Sequence, residues 1–480
     1  MKTLKIFLSI AVVIGGLFWA EPTTAQQNLT LYNMKALPQR LQVNPAKLPD
    51  SRIYVGLPLV SSFHMTLLNE GFRLEEFDQA FYEIPGSDSF GVNINQLGAI
   101  FSRDNYLSLN ADVELLNFGF KVGKNYFHAS STFKNDFRLS YPGDAFDLLF
   151  QGNGGQNVGR TFNFNFGVDA MQTLDFAVGY SREVTNKLTV GGRVKRILGI
   201  STITTERNDV SFTTRESDFA YLVKSDIAIN SASIYGNILA DSNVNFEPPS
   251  SLSEITNGGW GLDLGAVYNI TKRIEVSASI VDLGYINWES NTTRYESENP
   301  GNEFVFEGFE FEEIFGDSAD IGESFQNLAD SIIDAFNLDS SGQNFRQQLF
   351  TEFYLGGNFH LTKNHNAGLL FYGTFYNRKL RPGVTLSWNS RLSRIFSISA
   401  SASMMAGTVR NVGLGAALNL GPLQTYFVSD NVLGAVNPLG SKVVNFRGGI
   451  NLTIGRKAKK LKENKKDKKE SSLTRTDMRI

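Results

Sequence analysis

The chain of 480 residues has no cysteine, which excludes disulfides, thiol chemistry, a cysteine-built metal site and the lipidated cysteine of a lipoprotein. With hydrophobic residues at 42% and a mean hydropathy of −0.16, it is not a bundle of membrane helices. Neither sign of charge prevails: 45 Lys and Arg against 48 Asp and Glu leave −3, which excludes a strongly basic nucleic-acid binder. Histidines number four, and neither an H-E-x-x-H zinc pattern nor a twelve-residue calcium loop is present. Gly154 to Thr161 nearly matches a phosphate loop, but Arg160 replaces the lysine and no buried strand precedes it. Gly316-Asp317-Ser318 resembles the first block of some esterases, with no histidine nearby in sequence. His128 and Ser130, two apart on one strand, read as structural hydrogen-bonding groups. No enzymatic activity, cofactor or metal is expected.

What is present is alternation. In Gly259 to Trp288, residues Trp260, Leu262, Leu264, Ala266, Tyr268 and Ile270 share one face of an extended strand, and Ile274, Val276, Ala278 and Ile280 continue it after a turn. Opposed residues of a hairpin must point to the same side, so Tyr268 faces Val276 and Ala266 faces Ala278, leaving Thr271, Lys272 and Arg273 as the turn. Aliphatics with aromatics near the ends suit lipid better than a soluble sandwich core. The expected fold is all-β: a transmembrane antiparallel barrel of about fourteen strands, with an N-terminal plug and long extracellular loops.

Residues 1–25 read as a signal peptide: Lys2 and Lys5, an apolar run from Ile6 to Ala20, and Thr23-Thr24-Ala25 before the expected cut. Residues 26–50 lack strand alternation yet carry Leu29, Leu31, Tyr32, Met34, Leu37 and Leu41, which a free terminus would leave in water; they are expected to plug the barrel. The barrel spans 51–455, with strands near 53–68, 105–120, 126–141, 160–184, 188–206, 257–270, 274–288, 347–361, 366–376, 379–390, 395–405, 409–420, 423–429 and 442–455. Six short turns, beginning at Val122, Thr185, Thr271, Thr362, Arg391 and Gly421, all follow even-numbered strands, as periplasmic turns must if the N-terminus is periplasmic. Asp209 to Ala240 is assigned to an external excursion. Residues 289–341 form an acidic extracellular loop, fourteen carboxylates against Arg294 alone, with an amphipathic helix from about Glu323 to Phe336. Residues 456–480 read as a Lys-rich periplasmic tail.

The inward faces carry charges of both signs, among them Asp263, Glu275, Arg193, Lys195, Glu352, Arg381 and Arg447, which favours a cross-linked, occluded lumen over a ring of one sign. Two places break the phase. Arg196 falls on the lipid side, so either a bulge lies near Gly199 or that level is the membrane interface. Past Ile280 the faces swap; a bulge at Asp282, Leu283 and Gly284 would restore order and mark a kink or lateral opening.

Leu41-Gln42-Val43-Asn44-Pro45-Ala46, followed by Ile53-Tyr54-Val55-Gly56-Leu57-Pro58, resembles the N-terminal segment of barrels of the long-chain fatty-acid transporter (FadL-like) type and of PorV-like proteins. Val281 to Trp288 looks like the Asp-Leu-Gly element of an uncharacterised outer-membrane family, a domain of unknown function, close to them. The resemblance implies a fourteen-stranded barrel of a Gram-negative outer membrane, reached by export and leader cleavage. It implies a hatch carrying Asn44, Pro45 and Ala46 that, with the Asp282–Gly284 kink, serves as ligand or gate site. The function expected is non-enzymatic binding or passage of a small hydrophobic molecule. The alternatives are a PorV-like accessory protein of a secretion or assembly machine, and a general porin. Expected partners are outer-membrane lipid, a hydrophobic small molecule or secretion and assembly proteins, and no nucleic acid. The charged lumen and the Lys-rich ending depart from the transporter pattern.

Overall fold

The computed structural model describes residues 28–83, 90–101, 105–233, 251–306, 336, 338–376, 379–405 and 408–455. The signal peptide, the Lys-rich tail, Gly316-Asp317-Ser318 and, apart from Phe336, the amphipathic helix lie outside them. Fourteen strands close into one antiparallel barrel. In chain order they are β1 (Ile53–Gly56 and Phe63–Asn69), β2 (Asn105–Val122), β3 (Asn125–Tyr141), β4 (Gly167–Glu183), β5 (Leu188–Thr214), β6 (Gly258–Asn269) and β7 (Ile274–Trp288). The second half comprises β8 (Phe345–Gln348 and Glu352–His360), β9 (His365–Tyr376), β10 (Lys379–Arg391), β11 (Phe396–Met405), β12 (Thr408–Leu420), β13 (Leu423–Asn431) and β14 (Val443–Ile454). Each strand pairs with its neighbours in sequence, and β14 closes on both pieces of β1. Among the described residues, no helix is long and apolar enough to cross a membrane.

The six short turns all fall at one end of the ring, and four are built alike. Thr185, Thr271, Thr362 and Ser393 each turn a hydroxyl back to accept the backbone N–H groups two and three residues on, at 2.9 to 3.2 Å. Such a side-chain bond replaces a ladder bond in a tight reversal. The other two turns use Gly123 (φ 60°) and Gly421 (φ 62°), a left-handed backbone that favours glycine. In the β6–β7 hairpin Tyr268 pairs with Val276 and Ala266 with Ala278, the register expected from the sequence.

Alternation sorts the two faces as the barrel requires. Phe118, Phe120, Val178, Leu355 and Leu386 are exposed on the outside, whereas Glu114, Asp175, Asp263 and Arg447 are buried inside. Phe127 packs between Phe120 and Tyr180, an aromatic group near the short-turn end. Arg196 is outside; its Nη1 donates to the Gly259 carbonyl at 3.1 Å and its guanidinium lies over Trp260. A bulge follows at once, because Thr173 pairs with Gly199 and Gln172 with Ser201, leaving Ile200 extra.

Three expected strands are broken. The first loses its ladder at residues 57–62, where Leu59 and Val60 are exposed outside while Ser61 and Ser62 are buried. The expected strand 160–184 leaves the barrel between Asn163 and Gly167, although its alternation never changes phase. The eighth strand is interrupted at Leu349–Thr351.

The element that projects furthest is β5, 27 residues long. Its first half pairs with β6; its second half pairs with Tyr221–Ala232, which pairs in turn with Thr292–Ser297 and Glu303–Phe306. Leu338–Ser341 adds to Thr292–Ser297, so the described ends of the acidic loop are strands of a projecting sheet. One face carries ion pairs of Arg294 with Glu206 (2.6 Å) and Glu296 (2.9 Å) and of Arg207 with Asp226 (3.0 Å). The hydrogen bond from Arg294 holds the Glu206 carboxyl below the usual range. An apolar cluster is built from Phe162, Val210, Phe212 and Val223, with Phe304 and Phe336 against it.

Candidate luminal site

The bulge of the β6–β7 hairpin sets the site. Leu262 pairs with Leu283 but Leu264 with Ile280, so Asp263 opposes two residues, Val281 and Asp282. Asp282 takes a left-handed backbone, φ 56°, and its N–H donates to the Asp263 carboxylate at 2.9 Å. The extra residue reverses the phase. It turns Asp282 from the lipid face into the lumen and puts Leu283 outside, 47% exposed. The neighbouring ladder opens at the same level: β7 pairs with β8 through Val281 and Glu352 and resumes at Tyr285 and Gln348. Between them Leu349 N–H donates to the Gly284 carbonyl and Thr351 Oγ1 to the Asp282 carbonyl.

Six charges meet there. Lys195 Nζ lies 2.7 Å from Asp263 and 2.6 Å from Asp282; Lys134 Nζ lies 3.1 Å from Asp282 and 3.0 Å from Asp175; Arg193 Nε lies 3.5 Å from Asp263. Three cations against three carboxylates leave no local excess, which is the condition for keeping charges out of water. Asp263 is fully buried. The other charges named from the sequence do not join this cluster. Glu275 bonds Lys47 at 3.1 Å, Arg381 bonds Glu70, Arg447 approaches Asp112 at 3.7 Å, and Glu352 accepts the hydroxyls of Tyr354 (2.7 Å) and Tyr372 (2.8 Å). Strand phase puts Lys134 and Asp175 on the inward face with Arg193, Lys195 and Asp263, whereas Asp282 falls on the lipid side until the bulge brings it in.

The N-terminal segment lies inside the ring and touches it nearly everywhere. Asp430 of β13 accepts the N–H groups of Leu29 (3.1 Å) and Thr30 (2.7 Å), and Gln39 bonds Asn451 of β14 at 2.9 Å. Ser279 of β7 donates to the Val43 carbonyl and Ser181 of β4 to the Pro45 carbonyl, both at 2.6 Å. Asn44 Nδ2 donates to the Tyr32 hydroxyl and the Ala278 carbonyl, while its Oδ1 accepts the Ala46 N–H. The wall makes room by omission. A Cβ on Gly265 would stand 2.2 Å from Asn44 Oδ1, and one on Gly191 would stand 2.6 Å from the Pro45 carbonyl carbon. Leu31, Met34 and Leu37 pack against Ala417, Tyr426 and Val428.

Between this segment and the charge cluster lies a cavity of about 80 Å³. Its lining joins Asn28, Gln42 and Val43 of the segment to five carboxylates, five cations and an apolar edge of Met171, Leu349 and Phe350. Arg138 Cζ lies over the Phe350 ring, 3.4 Å from its centroid. Beyond that edge Met171, Ile197, Ile286, Trp288 and Leu349 form an apolar layer. The phosphate-loop look-alike is far from this chemistry: Arg160 is engaged by Asp144 (2.9 Å) and Asp147 (3.1 Å). His128 is buried, and Ser130 accepts from Arg193 rather than from it.

Comparison with curated protein sequences gives no match. Solved structures similar to the chain include the Pseudomonas putida toluene transporter TodX, at 11% identity over 86% of this chain and 91% of that one, TM-score 0.37. A Pseudomonas aeruginosa FadL homologue is 10% identical over 90% and 99%, TM-score 0.38. The translocator domain of the autotransporter NalP from Neisseria meningitidis is 8% identical over 84% and 89%, TM-score 0.32. Identities and scores this low do not carry a substrate from one barrel to another. The sequence itself matches one family model over residues 45–430, and the chain belongs to that family of unknown function, DUF5723.

Proposed function

We propose that the chain is a non-enzymatic barrel of a Gram-negative outer membrane whose lumen is plugged by its own N-terminal segment, and that it binds or passes a small hydrophobic molecule. The observation that carries the reading is the bonding of that segment to strands on opposite sides of the ring, from Ser181 and Ser279 to Asp430 and Asn451. Such bonding supports an occluded lumen over an open porin. The exposed aliphatic outer face, with Arg196 and Trp260 at one level and Phe120, Phe127 and Tyr180 at another, supports a lipid surroundings. A hydrophobic molecule is favoured by the apolar layer of Ile197, Ile286, Trp288 and Leu349 beside the cavity. Asn44, Pro45 and Ala46, with Asp282 to Gly284, are the gate: the first three rest on glycines, and the last three interrupt a ladder.

Conductance in planar bilayers tests the plug. The intact protein is expected to be silent, and deletion of residues 28–48 to open large steady channels. Large channels from the intact protein would overturn the reading. Saturable binding of a fluorescent fatty acid that competes with apolar solutes tests the ligand class; its absence, with stable co-purification of a protein partner, would favour the accessory role.

A further inference from the structure

At the break in β1 the outer wall presents backbone as well as side chains. Between Gly56 and Phe63 this strand spends six residues where β2 spends three and β14 two. The surplus folds into a turn on the outside of the ring. Val60 N–H donates to the Leu57 carbonyl at 3.2 Å, Pro58 holds the second position, and Leu59 takes a left-handed backbone, φ 65°. That is the pattern of a type II turn, whose third position favours glycine. Leu59 is 61% exposed.

The base of the turn is sealed: Leu57 N–H donates to the Ile450 carbonyl (3.2 Å), Ile450 N–H to the Val60 carbonyl (2.8 Å) and Glu114 N–H to the Ser62 carbonyl (2.9 Å). Its tip is not. Among the described residues the Leu59 N–H has no acceptor, and the Pro58 and Leu59 carbonyls have no donor. Exposed apolar residues lie along the wall on both sides of the turn, Ile53, Val55 and Phe118 towards the short-turn end and Phe63 beyond it. Leu57 follows Ile53 by about 10 Å along the membrane normal, within an apolar band about 25 Å tall. Hydrocarbon offers no partner to a backbone group, so irregular backbone persists at that depth only where protein covers it. The tip itself says what fits. It carries a donor and two acceptors on adjacent residues, so two copies related by a two-fold axis along the membrane normal can exchange N–H and carbonyl, as an isologous contact requires. A different partner has to bring its own matching pair into the bilayer.

We propose that the Leu57–Val60 turn is the centre of a symmetric interface between two copies of the chain within the membrane, Leu59 of one against Leu59 of the other. The proposal rests on the lipid surroundings of the outer face and is independent of the plug.

The chain has no cysteine, so a single one can be introduced without background. Leu59→Cys is compared, in isolated membranes treated with an oxidant, with Leu386→Cys, a position 60% exposed on β10, five strands round the ring. Non-reducing gels are expected to show a species of twice the chain's mass for Leu59→Cys. It should form at least about tenfold faster than for Leu386→Cys, as for thiols held together rather than colliding. Val60→Cys is the second position should Leu59→Cys not fold, with folding read from heat-modifiable mobility. Wild-type protein in lipid nanodiscs should weigh two chains, and Leu59→Trp, which enlarges both sides of the contact at once, should weigh one. Equal rates at 59 and 386, a cross-link to a different protein, or one wild-type chain per nanodisc would overturn the proposal. A nitroxide on Val178→Cys separates it from the lipid surroundings on which it rests. Relaxation by oxygen above that by a nickel chelate keeps the face in lipid, and a failed cross-link then removes the interface alone; the reverse order removes the lipid and the interface with it.

Discussion

Asp282 donates its backbone N–H to the side chain of Asp263 across 2.9 Å, so the residue that makes the bulge is held by the residue it bulges past. Asp263 serves the backbone of one strand and two cations of another at once, through Lys195 at 2.7 Å and Arg193 at 3.5 Å. Asp263→Ala strands the buried Arg193, leaves Lys195 to Asp282 alone and frees the bulge. The expected loss is about 3–5 kcal/mol, the range for breaking a buried pair from one side. Asp282→Ala should cost less, since its carboxylate is 21% exposed. Urea unfolding of the refolded barrel in vesicles measures both, and equal costs would contradict the assignment.

The glycines under the Asn44–Pro45 turn supply a cleaner handle on the N-terminal segment. Gly265→Ala places a methyl group 2.2 Å from Asn44 Oδ1, whereas Gly357→Ala, on the next strand but one, meets nothing within 4 Å. Overpacking of this kind costs about 1–3 kcal/mol. Channel openings in planar bilayers are expected from the first variant and not from the second, with both barrels folded.

The projecting sheet should respond to acid before the barrel does. Arg294 holds the Glu206 carboxyl below its ordinary value. A carboxylate depressed in the folded state contributes stability that is fully present above its unfolded pKa and lost as pH falls through the folded one. Hydrogen exchange at 202–214 and 292–297 is therefore expected to rise as pH falls below about 4.3, the unperturbed glutamate value. In Arg294→Gln the sheet should be loose at neutral pH and gain no further acid sensitivity from this pair.

The membrane level can be read from charge tolerance. Val178 is 71% exposed on the outer face, opposite Val194. Val178→Arg is expected to cost about 2–4 kcal/mol if it stands near the bilayer midplane. Arg196→Ala, beside Trp260, should change stability little. Refolding into vesicles followed by urea titration compares them, and a tolerated Val178→Arg would remove this face from lipid.

The sequence made the strands legible because a lipid-facing and a lumen-facing residue must alternate, and a lapse of phase is then visible. The lapse after Ile280 is a bulge at Asp282, whereas Arg196 stays outside beside Trp260 with a bulge following at Ile200. The repeated hydroxyl at the head of four turns was also present in the sequence as Thr185, Thr271, Thr362 and Ser393. What stayed hidden depends on partners distant in sequence. Phe162, Phe164 and Phe166 keep perfect alternation, yet the chain leaves the barrel there because Thr161–Asn163 finds the far end of β5. Residues 57–62 loop out around Pro58, which cannot donate to a ladder. The charges divide by geometry rather than phase, so Glu275 answers Lys47 of the N-terminal segment while Asp263 answers Lys195.

Asp430 and Asn451 fasten residues some four hundred positions before them. Residues 29–39 can reach their place only when the last two strands have been made and the ring is nearly shut. Until then their leucines have no partners, so the closing of the barrel and the seating of its contents become one event. Loop closure on that scale is slow. Whatever shields the segment before closure must let go at the moment strand β14 meets β1.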